Sequence, residues 1–423
     1  MIVKLPYADG HLAVDLRGLK VRPLAPSAPA AASDPAPLVA AAVDLPLAGP
    51  ALTSLAGGVG SATIVVPDGT RNAALPQVLP PIFARLREGG VEARRTTVLV
   101  ACGTHPAAGP KRLGEIVGPL PEGVLLVEQD SRDDASLVAV GDLRPGLPLR
   151  LHRSALACDL LITVGTVSHH YFAGFGGGPK MVFPGVAGHA EIQANHALVL
   201  ESASGNSWRR HPACGPGCLE GNPVAEEIAR AAELCPPAMA ICLVPGRDGG
   251  VAGAFAGPWR DAFHAAVARV RAGFEVATGE PFELMVASAG GGPSDATLIQ
   301  AHKALDAACS FLAPGGELLF LAALDRGAGS EAMAPFLHDP RPGAILGRLS
   351  EGWVQYGHTT LRLVEKTGRF RVRLCSSLEE DLARRLGFDP APDPETVADE
   401  WRSLRPGATV GVMTSRAVYQ RRT

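Results

Sequence analysis

Ser61-Ala-Thr-Ile-Val-Val-Pro-Asp68 is a short run of small, apolar and β-branched residues, stopped by a proline and followed at once by a carboxylate. It lacks the in–out alternation of a half-exposed strand. It therefore reads as a strand covered on both faces, as in a parallel sheet flanked by helices. The neighbouring sequence repeats the pattern. Gln77 to Glu88 has helical spacing and stops at Gly89-Gly90, a C-terminal helix signal. Thr96 to Ala101 is a second apolar strand, running into Cys102-Gly103-Thr104-His105. Asp159 to Val164 is a third, running into Gly165-Thr166. Strands alternating with helical stretches predict an α/β fold with a largely parallel sheet. Ligands bind such sheets beyond the carboxyl ends of the strands. Asp68, Arg71, His105 and His170 all follow a strand end.

Further along, residues 168 to about 235 read as loop and helix. Met239 to Val244 is again an apolar strand, and Trp259 to Ala272 a helix. The alternation then restarts with a strand at Phe282–Ser288, a turn at Gly290-Gly-Gly-Pro293, a helix at Ala296–Ala308 and a strand at Gly316–Ala322. This predicts two α/β domains with largely parallel sheets: residues 1–275, and 276–405. A terminal segment, 406–423, contains one more strand and is expected to return to the first domain. The sequence ahead of Ser61 is Ala- and Pro-rich, with a loose stretch from Pro23 to Pro37.

At 423 residues the chain is long enough for two sizeable cores. A formal charge of −3 gives no electrostatic case for nucleic acid or an anionic membrane surface. No run of about 18 apolar residues predicts a membrane span, and the start carries no secretory pattern. Eight cysteines scattered along the chain fit reduced thiols in the cytoplasm better than a disulfide framework. Only six of the 39 basic residues are lysine, Lys180 and Lys303 among them. In a chain that prefers arginine, a lysine draws notice, because an amine does chemistry that a guanidinium does not.

The densest chemistry lies in Ser168-His169-His170-Tyr-Phe-Ala-Gly174-Phe-Gly176-Gly177-Gly178-Pro179-Lys180-Met181. A P-loop needs Gly before the lysine and Ser or Thr after it; here Pro179 and Met181 stand there. The dinucleotide pattern fails as well, with Pro179 at its last glycine. What remains is a glycine-rich turn whose amides can approach an anion. His169, His170, His189 and His196 crowd into this one part of the chain. Imidazole suits proton transfer near neutral pH and metals such as nickel or zinc. The spacing matches neither a His-Glu-x-x-His helix nor a zinc finger. Cys214 and Cys218, in His211-Pro-Ala-Cys-Gly-Pro-Gly-Cys218, read as part of a Gly/Pro-rich surface loop.

Together these pieces resemble the nickel-dependent lactate racemase family. The matching segments are Pro67-Asp68-Gly-Thr70-Arg71, Cys102-Gly103-Thr104-His105, and His170 through Lys180 to Pro184-Gly185. Asn195-His196, Gly221-Asn222-Pro223 and Gln300-x-x-Lys303 follow in the same order. The resemblance implies a nickel-pincer nucleotide (nickel pyridinium-3,5-bisthiocarboxylic acid mononucleotide), linked covalently to Lys180 and shaped by Gly176, Gly177 and Gly178. His196 is then the nickel ligand, and His105 and His170 are the proton-transfer residues. Arg71 and Lys303 hold a substrate carboxylate, with Asp68 and Gln300 as supporting polar groups. The active site is expected in the cleft between the two domains. His169 and His189 take no role.

The implied activity is racemisation or epimerisation of a 2-hydroxy carboxylic acid by hydride removal and return. Hydride removal avoids a carbanion beside the carboxylate, and two histidines can each serve one enantiomer. The apolar Ile299 before Gln300 favours an aliphatic or aromatic substrate side chain over a polyhydroxylated one. The implied partners are a small-molecule substrate and the enzymes that make the cofactor. A sugar-acid 2-epimerase with the same cofactor, or a non-catalytic cofactor-binding homologue, are the alternatives. The presence of both His105 and His170 favours catalysis.

Overall fold

The computed structural model describes residues 1–203, 207–414 and 418–421. The chain forms two compact units. One comprises Ala28–Glu201 and Arg210–Gly273; the other comprises Met1–Ser27, Ser202–Arg209 and Phe274–Thr423.

The first of these is built on a six-stranded sheet. Its order is Val251–Gly257, Met239–Pro245, Leu160–Thr166, Ala62–Pro67, Thr96–Ala101 and Leu125–Glu128. All neighbours are parallel except the outermost strand Val251–Gly257. Every residue of Ala62–Pro67 is buried, as the unbroken apolar run requires. Helices pack on one face through Val39, Leu79, Ile82 and Leu86. On the other face Leu99, Leu161, Phe172, Phe183 and Ile192 close a second core. Strand order reverses between Ala62–Pro67 and Leu160–Thr166, the switch point at which such sheets bind ligands. The peptides after these two strands and after Thr96–Ala101 carry the residues singled out in the sequence.

The other unit has an all-parallel six-stranded sheet. Its order is Asp389–Pro390, Arg371–Cys375, Leu312–Leu321, Phe282–Ser288, Thr409–Met413 and Lys20–Leu24. The α/β architecture with largely parallel sheets is as the sequence predicts. The division of the chain is not a cut at 275. Lys20–Leu24 pairs with Thr409–Met413, so Met1–Ser27 belongs with Phe274–Thr423. The terminal strand pairs with Phe282–Ser288 in the same sheet and does not return to the other unit; residues 415–417 and 422–423 of that segment lie outside the described residues. The reason is register. Thr409–Met413 fills the gap between Phe282–Ser288 and the edge strand. Pro23, which has no ladder donor, sits on that edge strand.

No helix among the described residues is long and apolar enough to cross a membrane.

Candidate active site

Asp68 stands just beyond the strand Ala62–Pro67. Its Oδ1 accepts hydrogen bonds from the Thr70 hydroxyl (2.6 Å) and the Thr70 amide (3.2 Å). Its Oδ2 meets His105 Nδ1 at 2.6 Å. Burial pushes the Asp68 carboxyl up. The His105 imidazole, the Thr70 hydroxyl and the Arg71 charge outweigh that effect and hold it below the usual carboxylate range. Asp68 is therefore ionised, and His105 donates to it through Nδ1. The second ring nitrogen, Nε2, is then the basic one. Arg71 is exposed and lies on the same loop.

The strand Leu160–Thr166 leads into the glycine-rich segment. Thr166 Oγ1 donates to the Asn72 carbonyl (3.0 Å), which ties this strand end to the Asp68 loop. Gly103 N donates to the Gly185 carbonyl (3.0 Å), which ties the His105 loop to the end of the glycine-rich segment. Three strand ends are thus joined through their loops. Gly177 and Gly178 have φ of 69° and 51°, a region that favours glycine. A Cβ on Gly177 would lie 2.7 Å from the Thr166 carbonyl oxygen, and one on Gly178 2.3 Å from the Phe263 ring. Packing therefore explains both residues. A Cβ on Gly176 would meet nothing closer than 3.7 Å, so packing does not require that glycine.

Phe172, which sequence reasoning passes over, gathers the segment's functional groups. Its ring lies edge-on to His170 (centroids 4.6 Å apart) and to His196 (5.0 Å). The Lys180 Nζ is 5.6 Å from the same centroid. One aromatic ring is thus in contact with the lysine and two of the histidines. His170 Nδ1 accepts from the Ala173 amide (3.2 Å), which places the proton of the neutral ring on Nε2. His105 and His170 therefore present opposite faces of proton chemistry, a basic nitrogen and an N–H. Burial, helped by the Arg71 charge, brings the Lys180 ammonium down from its ordinary value to about 7. At neutral pH much of it is an amine, the form that attacks an acyl carbon. A pocket of about 270 Å³ opens beside it, lined by Phe175, Pro179, Leu219, Trp259 and Phe263.

His196 is buried in the last turn of the helix His189–Ala197. Arg150 pairs with Glu191 of that helix. Arg144 donates to the Ala194 carbonyl (3.3 Å) and pairs with Glu227, and Glu227 in turn accepts from Asn195 (3.0 Å). Asn222, fully buried, caps the helix Pro223–Leu234 by accepting from Val224 and Ala225. Its amide donates to the Phe172 carbonyl (2.8 Å), so the Gly221-Asn222-Pro223 motif supports Phe172. The 211–218 loop joins in through Cys214 Sγ, which donates to Asn222 Oδ1 (3.3 Å). His169 packs against Phe175. His189 begins the helix, its pKa lowered by burial and by Arg132.

Gln300 and Lys303 belong to the other unit. Both are on the helix Leu298–Cys309, and Lys303 Nζ donates to Gln300 Oε1 (2.8 Å). Among the described residues, no three His, Cys, Asp or Glu side chains cluster to hold a metal ion by themselves.

Residues 7–207 match the lactate racemase N-terminal domain. This span contains Asp68, Arg71, His105, His170, Lys180 and His196. The lactate racemase of Lactiplantibacillus plantarum is 30% identical over 301 residues, 70% of this chain and 68% of that protein. The lactate racemase of Thermoanaerobacterium thermosaccharolyticum is 27% identical over 339 residues, 78% of this chain and 76% of that protein. In fold, the chain superposes on the lactate racemase apoprotein from T. thermosaccharolyticum over the whole of both chains, with a TM-score of 0.87 at 24% identity. A protein from Thermotoga maritima shares the fold at a TM-score of 0.61 and 16% identity, over 88% of this chain and 96% of that one. By this likeness in sequence, with the fold agreeing, the chain belongs to the lactate racemase family, and it is an isomerase.

Proposed function

We propose that the chain interconverts the enantiomers or epimers of a 2-hydroxy carboxylic acid, with a nickel-pincer nucleotide linked to Lys180. The observation that carries this reading is the shared Phe172 ring. Against it lie an amine with a pKa of about 7 and the buried imidazole of His196. These residues fit the group. An uncharged lysine is what a covalent amide-type link requires. A single imidazole is a donor set for a metal that a cofactor brings with most of its ligands. Lys180 would hold the cofactor beside the glycine-rich turn, and His196 would complete the nickel coordination. When bound, the cofactor supplies an acceptor that takes hydride and returns it.

The chain's own residues do the rest. Arg71 binds the substrate carboxylate, where its planar fork allows two parallel bonds. Lys303 and Gln300, already hydrogen-bonded to each other, are assigned to the same substrate. His105 takes the hydroxyl proton on Nε2, and Asp68 stabilises the imidazolium that results. His170, as the imidazolium, gives its Nε2 proton to the oxo group when hydride returns and is left a neutral imidazole. For the opposite enantiomer the two roles exchange. In both directions the contact of His170 Nδ1 with the Ala173 amide must loosen, so that this nitrogen can carry a proton. Ile299, beside Gln300, favours an aliphatic or aromatic substrate side chain. The enzymes that make the nucleotide are the expected partners for maturation. The eight cysteines are scattered along the chain, a pattern that fits reduced thiols in the cytoplasm.

The test is chiral chromatography of single-enantiomer 2-hydroxy acids incubated with the cofactor-loaded protein. Lactate and its branched and aromatic analogues are the first substrates to try. At least one should drift to a mixture of both enantiomers, and His105→Ala and His170→Ala should each abolish that drift while cofactor stays bound. Unchanged racemisation by either variant would refute the two-histidine scheme.

A further inference from the structure

The strand Leu125–Glu128 ends on a carboxylate that the proposed reaction leaves without a part. Glu128 Oε1 accepts a hydrogen bond from the Ala108 amide at 2.6 Å, and Oε2 one from the Gly109 amide at 3.3 Å. The buried Cys102 Sγ lies 3.8 Å from the same Oε1. Burial and the Glu128 charge push this thiol up to about 12, so it stays protonated, with its one proton between Glu128 and the nearer Val100 carbonyl at 3.6 Å.

Cys102 and Gly109 bracket the loop that carries His105. At its start the loop is held by Gly103 N to the Gly185 carbonyl and by His105 N to the Cys102 carbonyl. At its far end the helix Pro110–Val117 begins at Gly109, with no side-chain cap of its own and a φ of 79° that only glycine adopts readily. Glu128 supplies that end with an ionised acceptor. Bonds to an ionised acceptor are roughly twice as strong as neutral ones. The ring they position is more than a third exposed, yet it meets Asp68 at 2.6 Å, so its placement depends on the loop more than on packing.

We propose that Glu128 is a positioning residue for His105. By holding the far end of the 102–109 loop to the end of the neighbouring strand, with Cys102 at the loop's start beside the same carboxylate, it sets the imidazole Nδ1 against the Asp68 carboxylate. The inference rests on the reading of His105 as a proton-transfer group, but its first test does not need the reaction. In the protein without cofactor, an imidazole N–H bonded to a carboxylate gives a proton resonance far downfield of the amides. Its loss in His105→Gln assigns it. That resonance is expected in the natural protein and in Glu128→Gln, which keeps an acceptor for the Ala108 amide. It is expected to vanish in Glu128→Ala. In the loaded enzyme, Glu128→Ala should lower kcat about 10²-fold, the scale of a misplaced catalytic group, with KM little changed, and Glu128→Gln should recover most of it. If Glu128→Ala does not fold, Glu128→Asp, too short to reach both amides, should show the same losses. A folded Ala or Asp variant with the resonance and kcat intact would overturn the proposal, as would a Gln variant as impaired as Ala. If the natural protein, fully loaded, racemises nothing, the functional reading fails while the resonance still judges the positioning role.

Discussion

Lys180 illustrates what one residue contributes that its neighbours could not. A guanidinium cannot give up its proton in a protein, whereas an ammonium can when burial removes its hydration. Burial and the Arg71 charge bring Lys180 to about 7, well below an exposed lysine's ordinary value of about 10.4. The sign follows directly. Below that pH the side chain is mainly ammonium and inert; above it, mainly amine and nucleophilic. Acylation of the cofactor-free protein, followed site by site by peptide mass spectrometry, should therefore give a Lys180 rate that is half-maximal near pH 7. Lysines of an unstructured control peptide should still be rising about two to three pH units higher. A Lys180 profile that tracks theirs would contradict the assignment of a neutral amine. The scarcity of lysine and the glycine-rich motif make Lys180 legible in the sequence. Phe172 and Glu128 are not legible there. An apolar residue in an apolar core and a carboxylate at a strand end both look ordinary until their neighbours from distant segments are known. The family resemblance makes Gly177 and Gly178 cofactor contacts, but the Thr166 carbonyl and the Phe263 ring already require glycine there.

The element that matters most for the buried imidazole is the helix His189–Ala197. Its composition gives it only a weak amphipathic pattern, so apolar packing alone would not fix its rotation. Two arginines from the hairpin Leu137–Arg144 and Leu147–His152 fix it instead: Arg150 on Glu191, and Arg144 on Glu227, which also holds Asn195. Glu227 is almost fully buried while Arg144 is partly exposed. Removing the carboxylate leaves Asn195 without that acceptor and Arg144 without its counter-ion. The cost is set below the 3–5 kcal/mol of a fully buried pair because water can still reach Arg144. Glu227→Ala should lower stability by about 2 kcal/mol in urea unfolding followed by circular dichroism. Glu227→Gln, which can still accept from Asn195, should lose less. Equal stability of Glu227→Ala and the natural chain would mean that the clamp carries no load. The sequence signals Asn195 only through its place next to His196. The hairpin that supplies both arginines has no strong apolar run, so pattern reading misses it.

At the scale of the whole molecule, the parallel sheets are readable because their strands are continuous apolar runs with little else to be. Ala62–Pro67, Thr96–Ala101 and Phe282–Ser288 lie within a residue of where the sequence puts them. The edge strand Lys20–Leu24 is not readable: it is short, alternating and interrupted by Pro23, and its partner Thr409–Met413 lies near the other end of the chain. No local pattern can report a pairing that distant, which is why sequence reasoning puts Met1–Ser27 with the wrong unit. The roles assigned to Asp68, His105, His170, His196, Gln300 and Lys303 depend on one central claim, that Lys180 carries a nickel-containing nucleotide. The direct measurement is the intact mass and nickel content of the chain after co-expression with enzymes that make a nickel-pincer nucleotide, with the modified peptide located by tandem mass spectrometry. The expected result is a single added mass on Lys180, about one nickel per chain, and neither in Lys180→Arg. An unmodified chain without nickel from cells shown to make the cofactor, or an adduct that persists in Lys180→Arg, would contradict it.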